Sequence, residues 1–103
     1  MSLEKNYLVQ ELFQIYRNLL TDHQQNVFEC YYFDNLSLSE IAENFNISRQ
    51  GVKDILDRCE KSLKYFEESL LLYEKNDKII TSLQGKISQK NLEEIKNIIY
   101  KRN

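Results

Sequence analysis

Residues 37–56 read Ser37-Leu38-Ser39-Glu40-Ile41-Ala42-Glu43-Asn44-Phe45-Asn46-Ile47-Ser48-Arg49-Gln50-Gly51-Val52-Lys53-Asp54-Ile55-Leu56. Ser37 followed three residues later by Glu40 is a capping box, in which each side chain can take up the other residue's free backbone amide, so a helix opens at Leu38. Ala42 is small enough for a second helix to cross closely. Four positions on, Asn46 tolerates the left-handed backbone needed for a sharp turn. Ser48 then caps a new helix at once. Ile41, Phe45, Ile47, Val52 and Ile55 are all apolar at the places where two steeply crossed helices pack. A short helix, a turn of three or four residues and a second helix at a steep angle define a helix-turn-helix. The spacing predicts one over residues 37–56, in preference to two bundle helices with Ala42 small by accident.

Working outward, Leu8, Leu12, Ile15, Tyr16 and Leu19 recur at three and four residues and predict a first helix over residues 3–20. Thr21 can cap a second, over residues 22–33, with Val27, Phe28, Tyr31 and Tyr32 on its apolar side and Asp34-Asn35 breaking it. Beyond the motif, Val52, Ile55, Cys59, Leu63, Phe66, Leu70 and Tyr73 step by three and four, which predicts a long fourth helix over residues 49–73. A looser polar stretch, 74–78, leads to a short apolar segment with Ile79, Ile80 and Leu83, ended by Gly85. Ser88 can cap a last helix carrying Leu92, Ile95, Ile98 and Ile99, with Lys96, Lys101 and Arg102 suited to its C-terminal dipole. The expected fold is all-α: a helix-turn-helix bundle with a long fourth helix over residues 1–74 and a helical C-terminal extension over 75–103. The absence of proline and the presence of only two glycines, Gly51 and Gly85, agree with an all-helical chain.

With 103 residues, 42% of them apolar and 29% charged, the composition is that of one small folded domain. Cys30 and Cys59 fall on apolar helical stripes and belong to no CxxC or Cys/His cluster, so buried free thiols are expected and no metal or redox cofactor is implied. No apolar run reaches the length needed to span a bilayer, and the first residues lack the layout of a signal peptide; a cytoplasmic protein is expected. The formal net charge of −2 is unusual for a protein that binds nucleic acid. Its distribution says more: residues 1–47 hold two basic and seven acidic side chains, whereas residues 48–64 hold five and three.

That basic segment contains the candidate site. In a helix-turn-helix the amino-terminal turn of the second helix enters the major groove, so the expected DNA contacts are Ser48, Arg49, Gln50, Lys53 and Asp54, with Arg58 one turn further on. Ser48 and the first backbone amides can hold a phosphate, Arg49 can bond two acceptors of guanine, and Gln50 can do the same for adenine. Asp54 and Asp57 stand where basic residues would serve phosphate binding better. Elsewhere the chemistry is sparse. His23 has no carboxylate or thiol array around it, and Glu67-Glu68 and Glu93-Glu94 point to different helix faces without a base or metal partner. Seven tyrosines and five phenylalanines fall mostly on apolar stripes and are read as core rather than as an RNA-stacking surface. With no nucleophile, glycine loop or ligand cluster in view, an enzyme is not expected.

Leu36-Ser37-Leu38-Ser39-Glu40-Ile41-Ala42 and Ile47-Ser48-Arg49-Gln50-Gly51-Val52, within the run 20–63, resemble sigma factor region 4. Leu20-Thr21-Asp22-His23-Gln24, Tyr31-Tyr32-Phe33-Asp34 and the long helix with its tyrosine-bearing end resemble the YlxM-type family of small bacterial proteins, over most of the chain up to about Tyr73. That resemblance implies an all-α DNA-binding protein, linked by gene neighbourhood to the signal recognition particle pathway and suspected of regulating it. An alternative from another class is an interaction module that binds a protein or RNA component of that particle, its helix-turn-helix being only structural. The surplus apolar surface of Leu63, Phe66, Leu70 and Tyr73, added to that of the last helix, suggests a homodimer through these segments; an intramolecular bundle that covers the same residues is the competing expectation.

Overall fold

The computed structural model describes residues 6–100. The chain forms α1 (Tyr7–Tyr16), a 3-10 turn (Arg17–Leu19), α2 (Asp22–Tyr32), α3 (Leu38–Phe45), α4 (Arg49–Leu70), α5 (Leu72–Leu83) and α6 (Gln89–Tyr100), with no strand among the described residues. The starts of α1, α2 and α3 have polar side-chain caps. The Asn6 side chain accepts from the amides of Leu8 and Val9. Thr21 with Gln24, and Ser37 with Glu40, form complete capping boxes. The helix expected over 3–20 is shorter among the described residues, Tyr7–Tyr16. It tightens at Arg17, and Leu20 turns extended so that Thr21 can cap α2; residues 3–5 lie outside the described part.

α4 is the spine, packed against α1, α2 and α3. Val9, Leu12, Phe13 and Tyr16 of α1 meet Val27, Phe28 and Tyr31 of α2, Ile41 of α3 and Val52, Leu56, Cys59 and Leu63 of α4 in one buried cluster. Phe13 stacks on Phe28 with ring centroids 4.1 Å apart, and Phe28 on Tyr32 at 4.3 Å. The inward register of α4 differs slightly from expectation. Leu56 is fully buried, while Ile55 is only partly so, because the line closest to α1 and α2 runs 52, 56, 59, 63. Cys59 is buried and Cys30 half-buried, both as free thiols, with the Cys59 thiol pushed up to about 11 by burial.

The largest departure from expectation comes after Leu70. The helix expected to reach Tyr73 stops there, Leu71 adopts the left-handed conformation (φ 55, ψ 30), and a new helix starts at Leu72. The stretch 74–78, expected to be loose, lies inside α5. The physical reason is a set of partners distant in sequence. The Tyr16 hydroxyl donates to Glu67 Oε1 at 2.7 Å and accepts from the Leu72 amide at 3.0 Å. Glu67 Oε1 accepts from the Tyr73 amide at 3.0 Å, and Oε2 from the Glu74 amide at 3.2 Å. A carboxylate thus caps α5 from within α4.

α5 lies against α1, and α6 packs on α5, where Ile80 and Leu92 are buried. Gly85, at φ 77, makes the turn between them, and Ser88 caps α6 through the Asn91 amide. Lys96 reaches Glu93 at 3.6 Å, while Lys101 and Arg102 lie outside the described residues. Much of the apolar surface read as surplus is covered within the chain: Leu63 is buried, and Phe66 and Tyr73 pack on the core, whereas Leu70 stays 46% exposed. With extents of 51 × 26 × 23 Å and a radius of gyration of 15.9 Å, against about 13 Å for a compact domain of this length, the molecule is elongated.

Candidate nucleic-acid interface

The turn between α3 and α4 is built as its sequence requires. Asn46 is left-handed (φ 55, ψ 46), and its amide donates back to the carbonyls of Ala42 and Glu43. The Ile47 amide donates to the Ala42 carbonyl at 3.0 Å. Ala42 is buried at the crossing, next to fully buried Ile41 and Val52. Ser48 is extended, and its Oγ accepts from the Gly51 amide at 2.9 Å. A methyl group at Gly51 would stand 3.1 Å from that oxygen, so glycine here leaves the cap uncrowded. On the other helix, the backbone of Ser37, and then its hydroxyl, hold the Glu40 carboxyl below its usual range.

These caps aim the amino end of α4 outward. Ser48, Arg49, Gln50, Asp54 and Arg58 are exposed, while Lys53 is half-buried. At about 100° per residue, Gln50 and Asp54 stand opposite the buried line of α4, with Arg49 and Lys53 to one side and Arg58 to the other. The six expected residues therefore form an exposed face with two flanks rather than one tight patch. Because Ser48 Oγ accepts within the helix, it offers a donor O–H outward. Gln50 Nε2 donates to Asp54 Oδ1 at 2.9 Å, which turns the amide oxygen of Gln50 away from the carboxylate. Sequence reasoning did not see this pair, although its i,i+4 spacing is the available signal. Asp57, half-buried, lies with Glu60 near the Tyr32 hydroxyl and contributes to its upward shift, which burial dominates.

Neighbouring side chains have structural duties. Exposed His23 packs edge-on against Phe45 at 5.5 Å, joining the start of α2 to the end of α3. Arg17 bonds Gln25 at 3.1 Å, pairs with Glu29 and lies over the Phe13 ring. Lys64 pairs with Glu60 at 2.8 Å. Among the described residues there is no cluster of three His, Cys, Asp or Glu side chains able to hold a metal ion, and no helix long and apolar enough to cross a membrane.

A capped short helix, a left-handed Asn turn over a buried alanine and a second helix presenting its polar amino end define an all-α helix-turn-helix protein. The sequence matches the family described as "Putative helix-turn-helix protein, YlxM / p13 like", UPF0122, over residues 3–101. The chain belongs to that family. It is 52% identical over 73 residues to a UPF0122 protein of Lactococcus lactis, an alignment covering 71% of this chain and 66% of that one. It is similar to a UPF0122 protein of Limosilactobacillus reuteri, 49% identical over 73 residues, 71% of this chain and 65% of the relative. Similarity to a UPF0122 protein of Listeria monocytogenes extends further, at 38% identity over 107 aligned positions, 92% of this chain and 97% of that one. The chain thus spans about two thirds of the lactococcal and Limosilactobacillus relatives it matches.

Proposed function

We propose that the chain is a cytoplasmic DNA-binding regulatory protein that uses the first turns of α4 as a sigma-region-4-like recognition helix. The observation that carries this reading is the outward presentation of Arg49, Gln50 and Asp54 from a helix whose opposite side is fixed by Val52, Leu56 and Cys59. Arg49, Lys53 and Arg58 would contact phosphates or guanine, the Ser48 hydroxyl and the first amides a phosphate, and Gln50 a base edge. The test is fluorescence anisotropy with duplex DNA across a salt series. Arg49→Ala with Lys53→Ala should leave the thermal midpoint nearly unchanged, remove most binding, and lower the salt slope by about two if each contacts one phosphate. Undiminished binding by this double variant would refute the recognition-helix role.

A second reading is favoured by the acidic balance: the helix-turn-helix serves as a scaffold, and the elongated α5–α6 arm binds a protein or RNA component of the signal recognition particle system. A pull-down with and without nuclease separates the two. Particle components recovered after nuclease treatment, with no salt-dependent binding of duplex DNA, would favour the second.

A further inference from the structure

The apolar line of α4 keeps its phase across the break at Leu71. Val52, Cys59, Phe66, Tyr73 and Ile80 recur at every seventh residue, with Leu56, Leu63 and Leu70 interleaved and only Asp77 polar at the next place. This is the pattern of one unbroken helix over four heptads. The backbone nevertheless leaves helical geometry at a single residue. Leucine is poorly suited to the left-handed region, where its Cβ crowds the carbonyl oxygen. The other non-glycine residues with positive φ among those described, Asn35 and Asn46, are of the tolerant type.

The bend is sustained by substitute hydrogen bonds. In a continuous helix the amides of Leu72, Tyr73 and Glu74 would donate to the carbonyls of Glu68, Ser69 and Leu70. Here they donate to the Tyr16 hydroxyl and the Glu67 carboxylate. Both arrangements satisfy all three amides, so bent and straight forms differ in one residue's dihedral angles and in what α5 packs against. A second line points the same way. Tyr65, Leu72 and Ile79, again seven residues apart, are 64%, 40% and 45% exposed. In a straight helix they would align beside Phe66, Tyr73 and Ile80 and widen that line into a continuous apolar face.

We propose that two copies of this chain exchange their C-terminal arms. Leu71 turns helical, residues 49–83 become one helix, and α5 with α6 of each copy occupies the α1 face of the other. The partner is a second copy because the surface that receives α5, centred on Tyr16, already fits α5 within one chain. The aligned Tyr65, Leu72 and Ile79 of the two straight helices then meet across the twofold axis, covering side chains that the bent form leaves in water. This inference is independent of whether α4 binds DNA.

The test is light scattering over a concentration series, together with spin-label distances. Leu71→Gly favours the left-handed bend and disfavours the helix, so it should lower the dimer association constant by at least about tenfold. Tyr16→Phe deprives the Leu72 amide of its acceptor only in the bent form, and should raise that constant about tenfold. Circular dichroism checks that both variants remain folded. For distances, a chain carrying Lys61→Cys and Ser82→Cys on a Cys30→Ala background is labelled and mixed with excess unlabelled protein. In the dimer the two positions should lie about 32 Å apart along one straight helix, and closer together in the monomer. Wild type and Tyr16→Phe both monomeric at the highest soluble concentration would overturn the proposal. So would a dimer whose labels keep the shorter separation of the bent chain.

Discussion

At position 46 an asparagine holds φ at 55°, and its amide closes α3 onto Ala42 and Glu43. Asn46→Ala should therefore cost about 1 kcal/mol, the usual penalty for a side chain with no local hydrogen bond in the left-handed region, whereas Asn46→Gly should be close to neutral. Urea melts of the two variants distinguish this from a general loss of side-chain contacts, which would make glycine the worse of the pair. Ala42 is the complementary case. It is buried where α3 meets α4, and Ala42→Leu should cost about 1–3 kcal/mol through overpacking, read in the same melts. Both residues were legible in the sequence, because the turn and the close crossing each demand a particular residue type at a fixed offset. Leu56 was read less well. Leu56 and Ile55 are both apolar and adjacent, and the choice of which points inward depends on where α1 and α2 lie, which the local pattern does not encode.

Among the elements, α3 depends most on its cap. At eight residues it is too short to persist by itself, so its amino end matters more than that of α4. Ser37→Ala should lower stability by about 1 kcal/mol, and Glu40→Gln, which keeps an acceptor for the Ser37 amide, should cost less; thermal melts at neutral pH test the order. The Glu40 carboxyl is held below its ordinary value, so its capping contribution is present above that value and fades as acid protonates it. The helix starts at Asp22, Leu38 and Arg49 were readable from Thr21, Ser37 and Ser48, since caps are local chemistry. The end of α4 was not. Residues 63–73 carry an uninterrupted helical rhythm with no glycine, proline or asparagine to mark a stop, and the break depends on Tyr16, 51 residues before its acceptor Glu67. The candidate interface was legible residue by residue for the same local reason; the Gln50–Asp54 bond was announced only by its i,i+4 spacing, and the influence of Asp57 on the Tyr32 hydroxyl needed three dimensions.

For the whole molecule, the phenols and thiol in the core set an alkaline limit. Tyrosine ordinarily titrates near 10.0, and burial above all holds Tyr16 and Tyr32 up to about 12; Cys59 is raised from 9.0 to about 11. Between these ordinary and raised values the unfolded chain has released protons that the folded chain retains. Stability should accordingly be intact below about pH 9 and decline as pH rises toward 12. Denaturant melts from pH 8 upward should show this fall, and Tyr16→Phe should flatten its upper part; a curve level to pH 11.5 would contradict the assignment. The contact between Tyr16 and Glu67 also has a temporal meaning. α2, α3 and α4 are joined by short connections, and their contacts can form early, whereas bringing Tyr16 to Glu67 requires closing half the chain. The arm should therefore be the last part to fold and the first to open. Native-state hydrogen exchange would register it as amides 72–74 losing protection well before those of Val52, Leu56 and Cys59. The Leu72 amide, donating to a hydroxyl instead of a carbonyl, would be the first proton to report each opening.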